Sequence, residues 1–388
     1  MSEDHFSVTS STGWFGRVGD SIKGVLFGLL LIVISVPVLF INEGRAVETR
    51  KTLEEGAKLL VTVSVEQSES VNDGKLIYFT GKAVAEGSLE DPDFKVSAEA
   101  LKLRRNVELY QWEEDVETKT KKKLGGGEET VKTYDYTKKW TSKVIDSSKF
   151  ERPEGHENPR PALNGDQWKA NPITVGGFTL SSGLVGHIDN FSGVRGDAAV
   201  DLPETLAGKK LHREGGGFYL GENPGSPTVG DIRVSHEAAM PGEVSVIAAQ
   251  VGDGLGPYTA KAGGTIEMLE TGSKTAASMF ATAHQSNKFM TWGLRALGAV
   301  LMFFGFSAIF RPLSVLADVL PIAGDIVGVG TGFIAFLLTV VISFFVIAIA
   351  WIFYRPLIGI PLVVVAVGGL VFLVMKLMGQ RKKQNALA

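Results

Sequence analysis

Residues 22–41 read IKGVLFGLLLIVISVPVLFI, twenty residues in which Lys23, near the edge, is the only charge. A hydrocarbon core of ~30 Å needs ~20 apolar residues in a helix, so this stretch predicts a membrane span. The run is longer than a typical signal-peptide core, and Gly44-Arg45-Ala46 is a poor small-x-small cleavage site. The segment is therefore expected to stay as an anchor.

Three further apolar runs follow near the other end of the sequence. They occupy residues 290–310, 326–354 and 356–378. Arg295 lies within the first turn or so of the second span, where its guanidinium is expected to reach the headgroups. Arg355-Pro356 is the break between the last two. The link 311–325, RPLSVLADVLPIAGD, is bounded by Pro312 and Pro321 and reads as an interfacial helix on the cytoplasmic side. Trp14, Trp292, Trp351 and Tyr354 stand at span ends, as interfacial aromatics do.

Orientation follows from basic residues. Lys376 and the tail 379–388, with Arg381, Lys382 and Lys383 and no acid, favour the cytoplasm, as do Arg17 and Lys23 beside the segment 1–21. Four spans put both termini on that side. Residues 42–289 are then expected to be periplasmic, extracellular or lumenal.

Within 42–289 the pattern changes. Residues 43–60 keep a helical composition and extend the anchor. Beyond them, VTVSV, KLIYFTGKAV, VELYQWEEDV, YDYTKKWTSKVI and EVSVIAAQV are short, β-branched and aromatic. Asn72-Asp73-Gly74 and Asn164-Gly165 are turn signals between such runs. The fold class predicted is an α+β membrane protein: four transmembrane helices, one N-terminal and three C-terminal, with a large, mainly antiparallel β extramembrane domain. Residues 119–130, KTKKKLGGGEET, read as a solvated hairpin tip between two strands, and residues 272–288 as a helix leading into the second span.

Composition excludes several functions. A net charge of −3 leaves no basic excess for nucleic acid. The absence of cysteine removes thiolate catalysis, disulfides and iron–sulfur sites. The six histidines show no HExxH spacing, and neither Gly-x-Ser-x-Gly nor a phosphate-cradling loop is present. Gly328-Val329-Gly330-Thr331-Gly332 lies in an apolar helix with no preceding strand, so it is not a nucleotide loop. Glu113-Glu114-Asp115 reads as a solvated strand end in preference to a cation site. No catalytic, cofactor-binding or metal residue is assigned, and no cofactor is expected.

One membrane signal is more specific. Gly24 and Gly28 in the first span, and Gly324, Gly328 and Gly332 at the start of the third, recur every four residues. Small residues on one face let helix backbones approach closely in lipid. Packing within the four-helix bundle and assembly between subunits both fit this spacing.

The motifs carry a resemblance. LRRNVELYQWEE around Arg105, Tyr110, Gln111 and Trp112, then Tyr134-Asp135-Tyr136 with Trp140, Asn158-Pro159, and VGDIRV with Gly230, Asp231 and Arg233 resemble the LUMA family, as do Arg311-Pro312-Leu313 and the one-plus-three spans. The likeness covers residues 20–378. It implies a lumenal domain between one span and three, self-association, and a part in organising membrane-protein assemblies. It carries over no catalytic residue. Short tails and absent cysteines give a bacterial look, which would place the chain in an inner (plasma) membrane. The expected function is a non-enzymatic, self-assembling membrane scaffold, its partners the bilayer, further copies of itself and other membrane proteins. The alternatives are a far-side hydrolase or ligand-binding domain without a recognisable motif, or a channel or transporter.

Overall fold

The computed structural model describes residues 4–196 and 202–361. Three long helices dominate one part of it: α1 (Trp14–Leu59), α2 (Ala276–Ala317) and α3 (Pro321–Tyr354). Each holds an apolar window long enough to cross a membrane. The first, second and third expected spans lie within them. The fourth, 356–378, falls largely outside the described residues, as does the tail 379–388, so the described chain has three candidate spans rather than four.

Helix bounds differ from the sequence reading in an instructive way. Pro312 does not end α2, which runs through it to Ala317. The link 311–325 is therefore mostly the end of α2 and the start of α3, joined by a turn, with Pro321 opening α3 where a missing N–H costs nothing. The anchor continues outward unbroken to Leu59, as the composition of residues 43–60 predicts.

The chain divides into two compact units. The helical unit contains residues 10–51, 120–129 and 283 onward. In it α1 and α2 cross where two glycines meet: a Cβ at Gly28 would lie 2.6 Å from the Gly305 carbonyl oxygen, and one at Gly305 would lie 2.9 Å from that of Gly28. Leu39, Met302 and Val346, one from each helix, form a buried core.

The β unit contains residues 4–9, 52–119 and 130–282. Its strands form mainly antiparallel sheets, as expected. The longest are β3 (Lys102–Lys122) and β4 (Glu128–Thr141), which are neighbours, so the segments of Trp112 and Trp140 do pair. On the other side of β3 lies β7 (Ile232–Ala239), and beyond it β6 (Gly217–Leu220) and β5 (Lys209–Glu214). In a second sheet β2 (Leu76–Ala85) pairs with β8 (Gly242–Val251). Ile77, Phe79, Val175, Phe178, Val244 and Val246 make one apolar core. Phe94, Val107, Leu109, Phe218, Ile232 and Val234 make another.

Two sets of contacts join residues that the charge reading put on opposite sides. Residues His5–Thr12 form a strand, β1, beside β4 in the large sheet. The Tyr136 amide donates to the Asp4 carbonyl at 2.9 Å, and the Ser7 and Thr133 hydroxyls lie 2.9 Å apart. Residues read as cytoplasmic thus share a sheet with residues read as far-side. A basic-residue count registers Arg17 and Lys23 but not an alternating strand ahead of the anchor. Likewise the hairpin tip is not free in solvent. Lys122 Nζ donates to Asp318 at 2.7 Å and to Asp325 at 2.8 Å, in the link read as lying on the opposite face. Arg17 completes this knot, donating to Asp318 and to the Gly126 carbonyl, both at 2.6 Å.

A double variant, Ser7→Cys with Thr133→Cys, tests the strand pairing in a chain that has no cysteine of its own. Mild oxidation in native membranes should give an intrachain disulfide seen as a mobility shift. Free thiols persisting under oxidant would rule the pairing out.

Candidate functional site

Strand alternation positions the chemistry of the β unit. On β3, Leu103, Arg105, Val107 and Leu109 share the inward parity, and on β7 Ile232, Val234 and His236 do. Register sets Arg105 directly opposite His236. Both are buried, and Asp91 lies between them with no exposed surface. Arg105 Nη1 reaches Asp91 at 3.0 and 3.1 Å and Asp93 at 2.7 Å, while His236 Nε2 stands 2.8 Å from Asp91. Burial opposes ionisation of Asp91, but the His236 hydrogen bond and the Arg105 guanidinium outweigh it and hold the carboxyl below its usual range.

The remaining motif residues of the β unit gather around Trp140. Tyr110 packs on it at 5.1 Å between centroids and Tyr219 edge-on at 6.0 Å, while the Arg233 guanidinium lies over its ring at 4.2 Å. Asp231 is buried and accepts from the Tyr219 hydroxyl at 2.5 Å and from the Thr228 amide and hydroxyl at 2.8 and 3.0 Å. Burial first, and then the Asp231 carboxylate, push the Tyr219 phenol far up. Gly230 sits at φ +96°, donates to the Tyr110 carbonyl, and leaves only 2.7 Å between a built Cβ and Pro159. No side chain fits that turn. Gln111 bridges Lys143 and Ile145 of the backbone, and Trp112 donates its amide to Asn158. His156 stacks on Tyr136 and stands edge-on to Trp112. Burial and the Glu114 carboxylate push the Tyr136 phenol up to about 12.

These residues make a packed cluster rather than an open cavity. The cleft beside Tyr110 and Gly230, lined also by Gln111, Pro159, Arg160 and Lys209, has about 60 Å³; a wider one beside Arg233, lined by Glu108, Glu214, Phe218 and Ser235, has about 320 Å³, at the lower end of ligand-pocket volumes, which start at roughly 300 Å³. Glu113 and Glu114 are engaged by Lys139 and by Tyr136 with the Glu151 amide. Among the described residues no group of three or more acids or histidines could hold a metal.

The helical unit has a polar site that the sequence reading missed. Arg295 does not reach outward. Its Nε and Nη2 donate to both oxygens of Glu43, at 2.6 and 2.9 Å, and Trp351 Nε1 donates to the same carboxylate at 2.8 Å. Glu43 is fully buried. One turn along, Arg45 donates to Asn287 and Thr291, Asn42 to the Thr291 carbonyl, and Asn287 to the Ala46 carbonyl. Leu39, Glu43, Ala46 and Val47 are all buried on α1. Their spacing of four, three and one is the signal that could have placed Glu43 inside.

The glycines sort into two sets. Gly28 is packed against α2, and Gly324 against Asp318. Gly24 and Gly332 have no neighbour within 4 Å among the described residues, and Gly328 has only Ser314, at 3.8 Å.

Comparisons with known proteins agree with the resemblance. A family profile described as Transmembrane protein 43, the LUMA family under its other name, matches residues 109–356. Transmembrane protein 43 of Mus musculus is 36% identical over 369 residues, covering 92% of this chain and 91% of that protein. The Homo sapiens protein is 35% identical over 368 residues (91% and 90%), and the Drosophila melanogaster homolog 30% over 352 (86% and 89%). These relatives are animal proteins and lend no support to the bacterial look of the tails. No solved structure matches.

Arg105→Met leaves Asp91 buried without its guanidinium partner. Thermal unfolding of the purified protein should show a loss of about 3–5 kcal/mol, the cost of breaking a buried pair. Because the Asp91 carboxyl is held below its usual range, its contribution is present above pH ~4 and fades as pH falls through the folded value. In Arg105→Met that acid-side fall should flatten. A variant as stable as the parent would refute the structural weight given to this pair.

Proposed function

The chain belongs to the transmembrane protein 43 family, and we propose that it serves as a non-enzymatic scaffold, self-assembling and organising membrane proteins or membrane architecture. It is an integral membrane protein by family and by its apolar helices. Several features support the scaffold reading. The buried charges of the β unit satisfy one another, as Asp91, Arg105 and His236 do, an arrangement that fixes shape rather than presenting groups to a substrate. The motif cluster around Trp140 is likewise built of mutual contacts.

The observation that carries the proposal is the face of α3 bearing Gly328 and Gly332. In contrast to the filled Gly28–Gly305 crossing, it leaves room for a backbone to approach among the described residues. Helices associate in lipid through such surfaces, and a second copy of the chain would fit there.

Leucine at two glycines separates assembly from folding. Gly28→Leu places a branched side chain onto the α2 backbone and should sharply reduce recovery of folded protein. Gly328→Leu should leave the β unit folded but yield smaller particles in nanodiscs, weighed by mass photometry or imaged by electron microscopy. Wild-type particles that remain monomeric in nanodiscs and across detergents would sink the scaffold reading.

A further inference from the structure

Arg295 and Trp292 border two spaces of the helical unit at once. One is a pocket of about 280 Å³ whose lining includes Arg50 of α1, His284 and Lys288 of α2, and Arg355 just after α3. The other is a groove of about 440 Å³ between α2 and α3, walled by Ala299, Phe303, Phe336, Val340 and Phe344. The first is basic and the second almost wholly apolar.

Among the described residues no carboxylate lines the basic pocket. The acid that acts on Arg355 is Glu43, and Glu43 is already held by both nitrogens of Arg295. Arg355 also lies in the field of Arg50 and Arg295, and its Nε is buried with no hydrogen-bond partner among the described residues. A buried donor without an acceptor is destabilising. An anion in the pocket would relieve the repulsion that Arg355 feels from Arg50 and Arg295. The pocket also adjoins the end of the apolar stretch of α2, the depth at which lipid headgroups lie.

Together the two spaces match the two halves of one molecule. We infer that they form a site for a single anionic phospholipid, its phosphate held among Arg50, Lys288 and Arg355 and one acyl chain laid in the α2–α3 groove. The shared lining explains the pairing: Arg295, neutralised by Glu43, and Trp292 form the boundary between headgroup and chain. A free phosphate would use the cations but have no use for the groove. A zwitterionic lipid would fill the groove but bring no net negative charge to Lys288 and Arg355.

The full-length protein, reconstituted in phosphatidylcholine nanodiscs with a minor fraction of phosphatidylglycerol and then released into detergent, can be weighed by native mass spectrometry. It should retain phosphatidylglycerol in preference to phosphatidylcholine, one molecule per subunit. Lys288→Gln and Arg355→Gln should each lower retention about tenfold, the scale of one charge-assisted contact, with Arg355→Lys restoring part of it. Ala299→Trp, which fills the groove and keeps every cation, should abolish retention. Lys288 is exposed, so its variant carries the test even where Arg355→Gln does not fold. Equal retention of the two lipids, or wild-type retention in Lys288→Gln, overturns the proposal. Displacement of phosphatidylglycerol by inorganic phosphate, with no effect of Ala299→Trp, would show a site for free phosphate and overturn the lipid assignment too.

Discussion

A fully buried carboxylate organises the helical unit. Glu43 comes from α1, Arg295 from α2 and Trp351 from α3, and the three meet at one pair of oxygens. Helices in lipid have little hydrophobic reason to prefer each other over acyl chains, so polar contacts and close packing must select the arrangement. A bidentate guanidinium fixes distance and orientation together. The layer of Asn42, Arg45, Asn287 and Thr291 extends the same logic by one turn. Leaving Glu43 without its partner would strand a charge where no water reaches it, which makes the pair a determinant of geometry more than a source of net stability.

The β unit repeats the strategy with different chemistry. Arg105 and His236 interrupt an otherwise apolar face of the large sheet, Asp91 of a separate two-stranded sheet reaches both, and Arg233 lies on Trp140. In both units an arginine is inside, saturated by acceptors or a ring.

The sequence made much of this legible, and the failures are specific. The apolar runs placed three helices because bilayer thickness sets a length that composition alone can meet. The alternation around Trp112 and Trp140 revealed a hairpin because a strand shows its two faces in period two. The motif residues from Tyr110 to Arg233 proved to be neighbours, although their roles depend on register, which no single segment encodes. Arg295 was misplaced because a lone cation at a span end is ordinarily solvated; its partner lies 252 positions away. The strand at residues 5–12 was missed for a similar reason. Its sequence, HFSVTSST, is short and polar, and only the open edge of β4 makes it a strand.

That edge strand constrains how the protein is made. Ser7 meets Thr133 across a separation of 126 residues, with α1 and five strands synthesised in between. At ribosomal speeds of ~5–20 residues per second the leading strand waits unpaired for several seconds while the first apolar helix emerges behind it. The insertion machinery therefore receives a polar leader that has to remain available to a partner not yet translated. Closure of this long loop is a late event, and until it happens β4 is a bare template on which a neighbouring nascent chain could dock its own leader.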